Sequence, residues 1–283
     1  MSAIAVTGVT GHVGSQVAAG LEERGIQVRH LLRNAAKADQ FPAGRTFLAE
    51  YGDAEAAGAA LAGVDLLFMV SAVESEDRLE QQHTFIDAAA AAGVRHVVYT
   101  SFLGASPEAT FTFARTHFAT EEHIKASGMA WTFLRDSFYL DLLPMFAGED
   151  GVIRGPGGDG RVGAVIRDDV ARAAAAVLAD EHSGQRSHAG QSYDLTGPEA
   201  LTLAEIARIT SEETGREVSY YNETLTEARA SRAAYDPPEW MMQAWLSTYT
   251  AIAAGELDVV SSAVEDLTGT PPVSLRSYLQ NER

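Results

Sequence analysis

The apolar positions change period repeatedly along this chain, and the changes predict alternating strands and helices. Ile4 and Val6 belong to an apolar run within Ala3–Gly14 that empties into a glycine-bearing loop, and Val13, Val17, Ala18 and Leu21 then recur at helical spacing. Further strands are predicted over Gln27–Leu32, Thr46–Glu50, Val64–Val70, Val94–Tyr99 and Ala130–Leu134. The unbroken apolar character of Val64–Val70 is that of a strand covered on both faces. Helices fall between them: one closed by Gly25, one capped by Asp53 and running to Leu61, one over Asp77–Ala92 with Leu79, Ile86 and Ala90 facing inward, and one over Phe111–Ser127. Ser106-Pro107-Glu108 reads as an N-cap followed by proline at the first helical position. This order predicts an α/β fold built on a doubly wound parallel sheet of Rossmann type.

Glycine becomes dense from Gly148 to Gly163, where a smaller α+β C-terminal portion is expected to begin. Residues 1–150 then form a dinucleotide-binding domain and 151–283 a substrate-binding portion, with segments interleaved across the boundary. In that portion Asp168 or Asp169 caps a helix over Val170–Leu178, Gln191–Thr196 forms a strand, and Thr202 with Glu205 makes a capping box for a helix ending at Gly215. Pro237 and Pro238 open a helix carrying Met241, Trp245 and Tyr249 at four-residue spacing, a stripe that fits packing, a lid or a dimer contact.

The opening loop carries the first chemistry. Gly8, Gly11 and Gly14 stand three apart between a predicted strand and helix, the context that gives a glycine pattern meaning. Gly8 permits the turn, Gly11 admits a pyrophosphate to the backbone, and Gly14 lets the helix pack on the sheet, so Gly8, Val9, Thr10, Gly11, His12, Val13 and Gly14 are expected to cradle a dinucleotide. The helix N-terminus adds unpaired N–H groups and the positive end of a dipole.

Charge sharpens this picture. With 21 basic and 39 acidic residues the net charge is −18, which disfavours nucleic acid and anionic membrane as partners. One stretch, Arg24–Ala38, holds four cations and no acid. Where an NAD-binding fold places an acid on the adenosine ribose, this chain has Arg33, followed by Asn34 and Lys37. A guanidinium pairs with a 2′-phosphate that an acid would repel, so NADPH is the expected cofactor.

There is no cysteine, which excludes disulfides, thiolate nucleophiles and cysteine-type zinc sites and makes a reducing cytoplasm the natural setting. No apolar run approaches membrane-spanning length, and no basic leader precedes the first strand. No metal site is expected: His117 and His123 are six apart on one helix and point to different sides. The chain is expected to work as a monomer or homodimer.

Ligands of open α/β sheets bind at the carboxyl ends of strands, which brings in Ser71-Ala72-Val73, Ser101 and the segment Arg135–Tyr139. Phe138, Tyr139 and Leu142 offer walls for a substrate or for the core. A ketone reductase would carry Tyr-x-x-x-Lys on the helix Phe111–Ser127, yet no tyrosine lies between Phe102 and Phe138. His117 and Glu121 share a face there with Lys125 one turn on, either as an active-site pair in which Glu121 holds the imidazole or as an exposed ladder.

The stretches TGVTGHVG, LLRNAAK, the YGD after the third strand, AAAAAGVRHVVYTS, HFATEEHIKASG and WTFLRDSFYLD, in this order, resemble the NmrA-like atypical short-chain dehydrogenase/reductases, in particular the NADPH:quinone oxidoreductase 2 and triphenylmethane reductase branch. The resemblance implies cofactor contacts at Gly8–Val13, Arg33, Ser71–Val73, Asp136, Ser137, Phe138 and Tyr139, and near Arg167, with Asp53 beside the adenine. It also implies hydride transfer from NADPH to a quinone or similar electron-poor acceptor, or else an NADP(H)-sensing regulator without turnover. Two positions depart from the family: Asp136, where asparagine is common, and His12, where glutamine is frequent. A sugar-nucleotide epimerase would share the glycine loop but needs the missing tyrosine and lysine. Quinone reduction suits that absence, because its product is a phenolate-type anion, a weaker base than an alkoxide, and placement of the acceptor does most of the work.

Overall fold

The computed structural model describes residues 3–42 and 44–281. The chain opens with β1 (Ile4–Val6), α1 (His12–Glu23), β2 (Val28–Leu32), β3 (Thr46–Leu48), α2 (Ala54–Leu61) and β4 (Leu66–Met69). It continues through α3 (Arg78–Ala91), β5 (His96–Phe102), α4 (Thr112–Ala126) and β6 (Ala130–Asp136). After β7 (Val152–Gly155), β8 (Arg161–Val162), α5 (Arg167–Ser183) and β9 (Gln191–Leu195) come β10 (Leu201–Thr202), α6 (Leu203–Thr214), β11 (Ser219–Asn222), α7 (Leu225–Ala233), α8 (Glu239–Ala253), α9 (Ala263–Thr268) and α10 (Leu275–Asn281).

Seven strands form one sheet in the order β3-β2-β1-β4-β5-β6-β9, and the pairs from β3 to β5 are parallel. The order reverses at β1, so the crevice beyond its carboxyl end is the topological switch point. Ile4 is in register with Val28 on one side and Leu66 on the other, and every residue of β1, β4 and β5 is buried. Val13, Val17, Ala18 and Leu21 all turn inward on α1, as their spacing predicts.

The chain divides into two compact, interleaved units: Met1–Ser101 with Thr116–Arg135 and Asp168–Tyr193, and Phe102–Arg115 with Asp136–Arg167 and Asp194–Arg283. A single cut after residue 150 does not describe them, because the chain crosses at the ends of β5 and β6 and returns at α5. The core of the first unit runs from Ala5 and Leu31 through Phe85, Val97 and Tyr99 to Ile124 and Phe133. That of the second joins Phe102, Phe111, Leu140, Ile153, Ile206, Ile252 and Leu275.

Local capping follows the sequence at several helices. Asp53 accepts from the Ala56 N–H at 2.9 Å, and Thr202 and Glu205 form the complete capping box, with Gly215 left-handed at the far end. Three expectations need correction. Ser106–Glu108 is a turn, and α4 starts at Thr112, the intervening Thr110 N–H being taken by Glu256 at 3.0 Å. Helix α5 begins at Arg167, so Asp168 and Asp169 both sit in its first turn rather than before it. On α3 the inner face includes Arg78, Gln82, Phe85 and Ala89 as well as the expected Ile86, with Ala90 packed against the core, while Leu79 is only half-buried.

Candidate functional site

In the first unit the carboxyl ends of β1, β2, β3 and β4 surround a cleft of about 430 Å³. Thr7, Gly8, Thr10 and Gly11 line it after β1, Leu31 and Arg33 at the end of β2, Ala49, Glu50 and Tyr51 after β3, and Val70–Val73 after β4. Gly8 has φ +64°, and the Gly11 N–H turns back to its carbonyl at 2.9 Å, which closes the loop. A Cβ on Gly14 would lie 2.4 Å from the Gly8 oxygen, so only glycine lets α1 start this close to the loop. Helix α1 has no side-chain cap and no acid in its first turn, leaving its first N–H groups for an anion.

Side chains hold the cleft wall where strand pairing stops. The Thr7 hydroxyl accepts from the Val70 N–H at 2.8 Å, and Tyr51 donates to the Val70 carbonyl at 2.5 Å. Burial pushes the Tyr51 phenol well above its usual range, so it stays a donor. The Thr100 hydroxyl accepts from Ser71, and Arg78 and Gln82 of α3 take the carbonyl and N–H of Ala72 at 3.0 and 3.1 Å.

The predicted cofactor residues divide by position. Gly8, Thr10, Gly11, Arg33, Ser71, Ala72 and Val73 are in the lining. Val9, Val13 and Gly14 are buried beneath the loop and shape it. Arg33 and Lys37 are exposed and their side chains make no hydrogen bond or ion pair among the described residues, and Asn34 caps the 3₁₀ turn that carries Lys37 through the Ala36 N–H at 2.9 Å. His12 projects its Nε2 to 2.6 Å from Asp168. Asp53 is spent on capping α2.

Ser101 is fully buried outside the lining, and its hydroxyl donates to Glu121 at 2.5 Å. Glu121, also fully buried, takes the Arg135 guanidinium at 2.8 and 2.6 Å. The expected Glu121–His117 contact is therefore not made, nor is the exposed ladder, since Lys125 pairs with Glu122. His117 instead sits between Tyr99, 3.0 Å from Nδ1, and Arg78, 3.0 Å from Nε2. Burial first, and then the Arg78 charge, holds its pKa well below the usual histidine value, so it is neutral at neutral pH.

In the second unit Tyr139 donates to Asp136 at 2.7 Å, and burial and that carboxylate push the phenol up. Arg167 pairs with Asp141 at 2.5 Å. Phe138 packs against Phe102 and Phe111, each with ring centroids 5.1 Å away, and Leu142 starts a 3₁₀ turn. The Ser137 hydroxyl is buried and has no partner among the described residues, an orphan that a bound polar group would satisfy. A separate cavity of about 400 Å³ is lined by Phe146, Arg232, Tyr235, Trp245, Thr248 and Tyr249. The four-residue stripe of α8 thus supplies part of an aromatic wall, while Phe138, Tyr139 and Leu142 do not line it. Thr7, Leu31, Ala49, Glu50, Tyr51 and Val70 were findable by applying the strand-end rule to every early strand; nothing local signals Arg78 or Gln82.

Residues 1–232 match the NmrA-like family. The chain belongs to the NmrA-like family. It is 33% identical over 273 residues to the NAD(P)H azoreductase of Xenophilus azovorans, covering 95% of this chain and 93% of the relative. It is also 33% identical over 279 residues to quinone oxidoreductase 2 of Escherichia coli, covering 96% of each. Among solved structures, the NADPH complex of that Escherichia coli quinone oxidoreductase overlays with a TM-score of 0.87 at 31% identity over 99% of both chains. The NADP(H) complex of Citrobacter triphenylmethane reductase gives 0.86 at 29% identity over 99% of this chain and 100% of the other. Such NmrA-like reductases share the Rossmann-type sheet described above. No helix among the described residues is long and apolar enough to cross a membrane.

Proposed function

We propose that this NmrA-like protein is an NADPH-dependent reductase that passes hydride to a quinone or a similar electron-poor conjugated acceptor. The observation that carries the reading is the cleft at the switch point: a glycine loop, an uncapped helix N-terminus and, at the end of β2, an arginine whose side chain has no partner among the described residues, all in one cavity. These groups match a dinucleotide carrying an extra phosphate on its adenosine half, and NADPH complexes of similar reductases support the assignment. Bound there, NADPH supplies the hydride.

The chain's own residues bind and orient. The α1 N-terminus and the N–H groups of the glycine loop take the pyrophosphate, and Arg33 takes the 2′-phosphate. The second unit has a cavity of its own with the size and apolar lining of a small-molecule site. Neither His117 nor Glu121 is proposed as a proton donor: one is a buried neutral ring held by Arg78 and Tyr99, the other a carboxylate locked by Arg135. A quinone's reduced oxygen is basic enough only to need water or a weak acid, so no strong acid has to be found.

Anaerobic stopped-flow with NADPH and NADH against benzoquinones, naphthoquinones and azo or triphenylmethane dyes tests this. Rapid NADPH oxidation dependent on the acceptor is expected. Cofactor binding with no oxidation across the panel would reassign the protein as an NADP(H) sensor. A second check is Gly14→Ala, whose Cβ would meet three backbone atoms of Thr7 and Gly8 within 2.6 Å. It is expected to weaken NADPH binding by more than about tenfold while the circular dichroism of the fold persists, because the loop has to move off the phosphates. Unchanged affinity would show that the loop does not bind the dinucleotide.

A further inference from the structure

His117 lines neither the cleft nor the aromatic cavity, yet it is buried within a chain of polar side chains in the first unit. Its hydrogen bonds have only one consistent direction. Arg78 can only donate, so the Nε2 facing it is an acceptor and the proton of the neutral ring sits on Nδ1, donating to Tyr99. Tyr99 donates to Gln82 Oε1 at 3.2 Å, the Gln82 amide donates to Thr120 at 2.9 Å, and Thr120 donates to the Thr116 carbonyl at 2.8 Å. Arg78 also donates to the Thr116 hydroxyl at 3.1 Å.

Both ends of this cluster converge on one cleft residue. Arg78 holds the Ala72 carbonyl and Gln82 holds the Ala72 N–H, so the backbone that leaves β4 and lines the cleft is fixed by two α3 side chains, each braced by α4 or Tyr99. We infer that His117 is a positioning residue: by accepting from Arg78 it sets the guanidinium that holds Ala72, and so preorganises the Ser71–Val73 wall for the dinucleotide. The inference rests on the cleft being the NADPH site. It assigns to His117 a part in cofactor affinity and none in the chemical step. Removing the Nε2 acceptor takes away one of the groups that set this buried guanidinium, so the Ala72 carbonyl is held less firmly and more of the wall is ordered only at the moment of binding, which lowers affinity.

The test compares three substitutions in the full chain. Glutamine places an oxygen where Nε2 was, whereas asparagine reaches only the Nδ1 side. His117→Ala and His117→Asn are expected to raise the NADPH Kd about tenfold with kcat at saturating NADPH and quinone within about twofold of the parent, and His117→Gln to return Kd to within about threefold. Without cofactor, amide hydrogen exchange across residues 70–75 should be faster in the alanine and asparagine variants and close to the parent in the glutamine variant. Should alanine prevent folding, the glutamine and asparagine variants carry the comparison alone. Unchanged Kd and exchange in the asparagine variant, or no rescue by glutamine, overturns the inference. A fall in kcat at unchanged Kd returns His117 to the chemistry. Absence of NADPH binding by the parent chain refutes the cofactor reading, while the exchange measurement still decides whether His117 orders this wall.

Discussion

Arg33→Asp is expected to raise the NADPH Kd about a hundredfold and leave the NADH Kd unchanged or slightly lower. Arg33 stands at the carboxyl end of β2, exposed, lining the cleft and with no side-chain hydrogen bond or ion pair among the described residues, so its planar donor fork is available to an incoming dianion. A charge-assisted hydrogen bond of this kind contributes about 1.5–3 kcal/mol, or roughly tenfold to 150-fold in affinity. The aspartate then adds repulsion to the phosphate, while it can accept from the 2′-hydroxyl of NADH as acids do in NAD-binding folds. Because the site is open to solvent, the NADPH preference of the parent should fall with rising salt. Fluorescence titration of both cofactors at two ionic strengths measures this; an unchanged NADPH-to-NADH ratio would remove Arg33 from the site.

Glu121→Ala is expected to lower unfolding stability by about 3–5 kcal/mol without changing kcat at temperatures where the variant is folded. Glu121 accepts from Ser101 and, through both oxygens, from Arg135, a two-point geometry. Its carboxylate is fully buried and the arginine side chain is 25% exposed, so truncation removes the charge to which a largely desolvated guanidinium and a buried hydroxyl both donate. Exposure of the arginine places the cost toward the lower end of that range. Even so, it is a large fraction of the about 5–15 kcal/mol by which folded proteins are stable. Urea unfolding with a shifted midpoint and an unchanged slope is the expected record. Full stability with lost turnover would instead restore Glu121 to the active site.

These expectations show which residues could be read from the chain and which could not. The loop Gly8–Gly14 was legible because its meaning is local: strand, turn and helix are adjacent, and the positive φ at Gly8 and the close approach at Gly14 need glycine wherever the fold occurs. Arg33 was legible for the same reason, since its place at the end of β2 follows from counting along one βαβ unit. Phe138 and Tyr139 were placed correctly at the end of β6 but not their contacts, because an aromatic ring beside a strand end can turn toward a ligand or a core with equal local cost. The inner face of α3 was only partly legible for a related reason. The apolar pattern placed Ile86 and Ala90 against the core, where they are, but Leu79 is only half-buried and the inner face also carries Arg78 and Gln82 to satisfy the Ala72 backbone, a demand invisible in the helix itself.

What the amino-acid order determined by itself was the succession of strands and helices, the parallel sheet they build, the glycine turn and the cation at the end of β2. Each depends on residues within a turn or a single strand–helix unit, where backbone sterics and side-chain period leave few alternatives. Only the tertiary structure decided the partners of His117, Glu121, Ser101 and Arg78. Arg78 meets His117 across 39 residues and Ser101 meets Glu121 across 20, distances along the chain over which the spacing of side chains carries no information about which polar groups the sheet will bring together. Burial then makes the choice binding, since a polar group out of water has to find its partner among whatever neighbours the fold supplies.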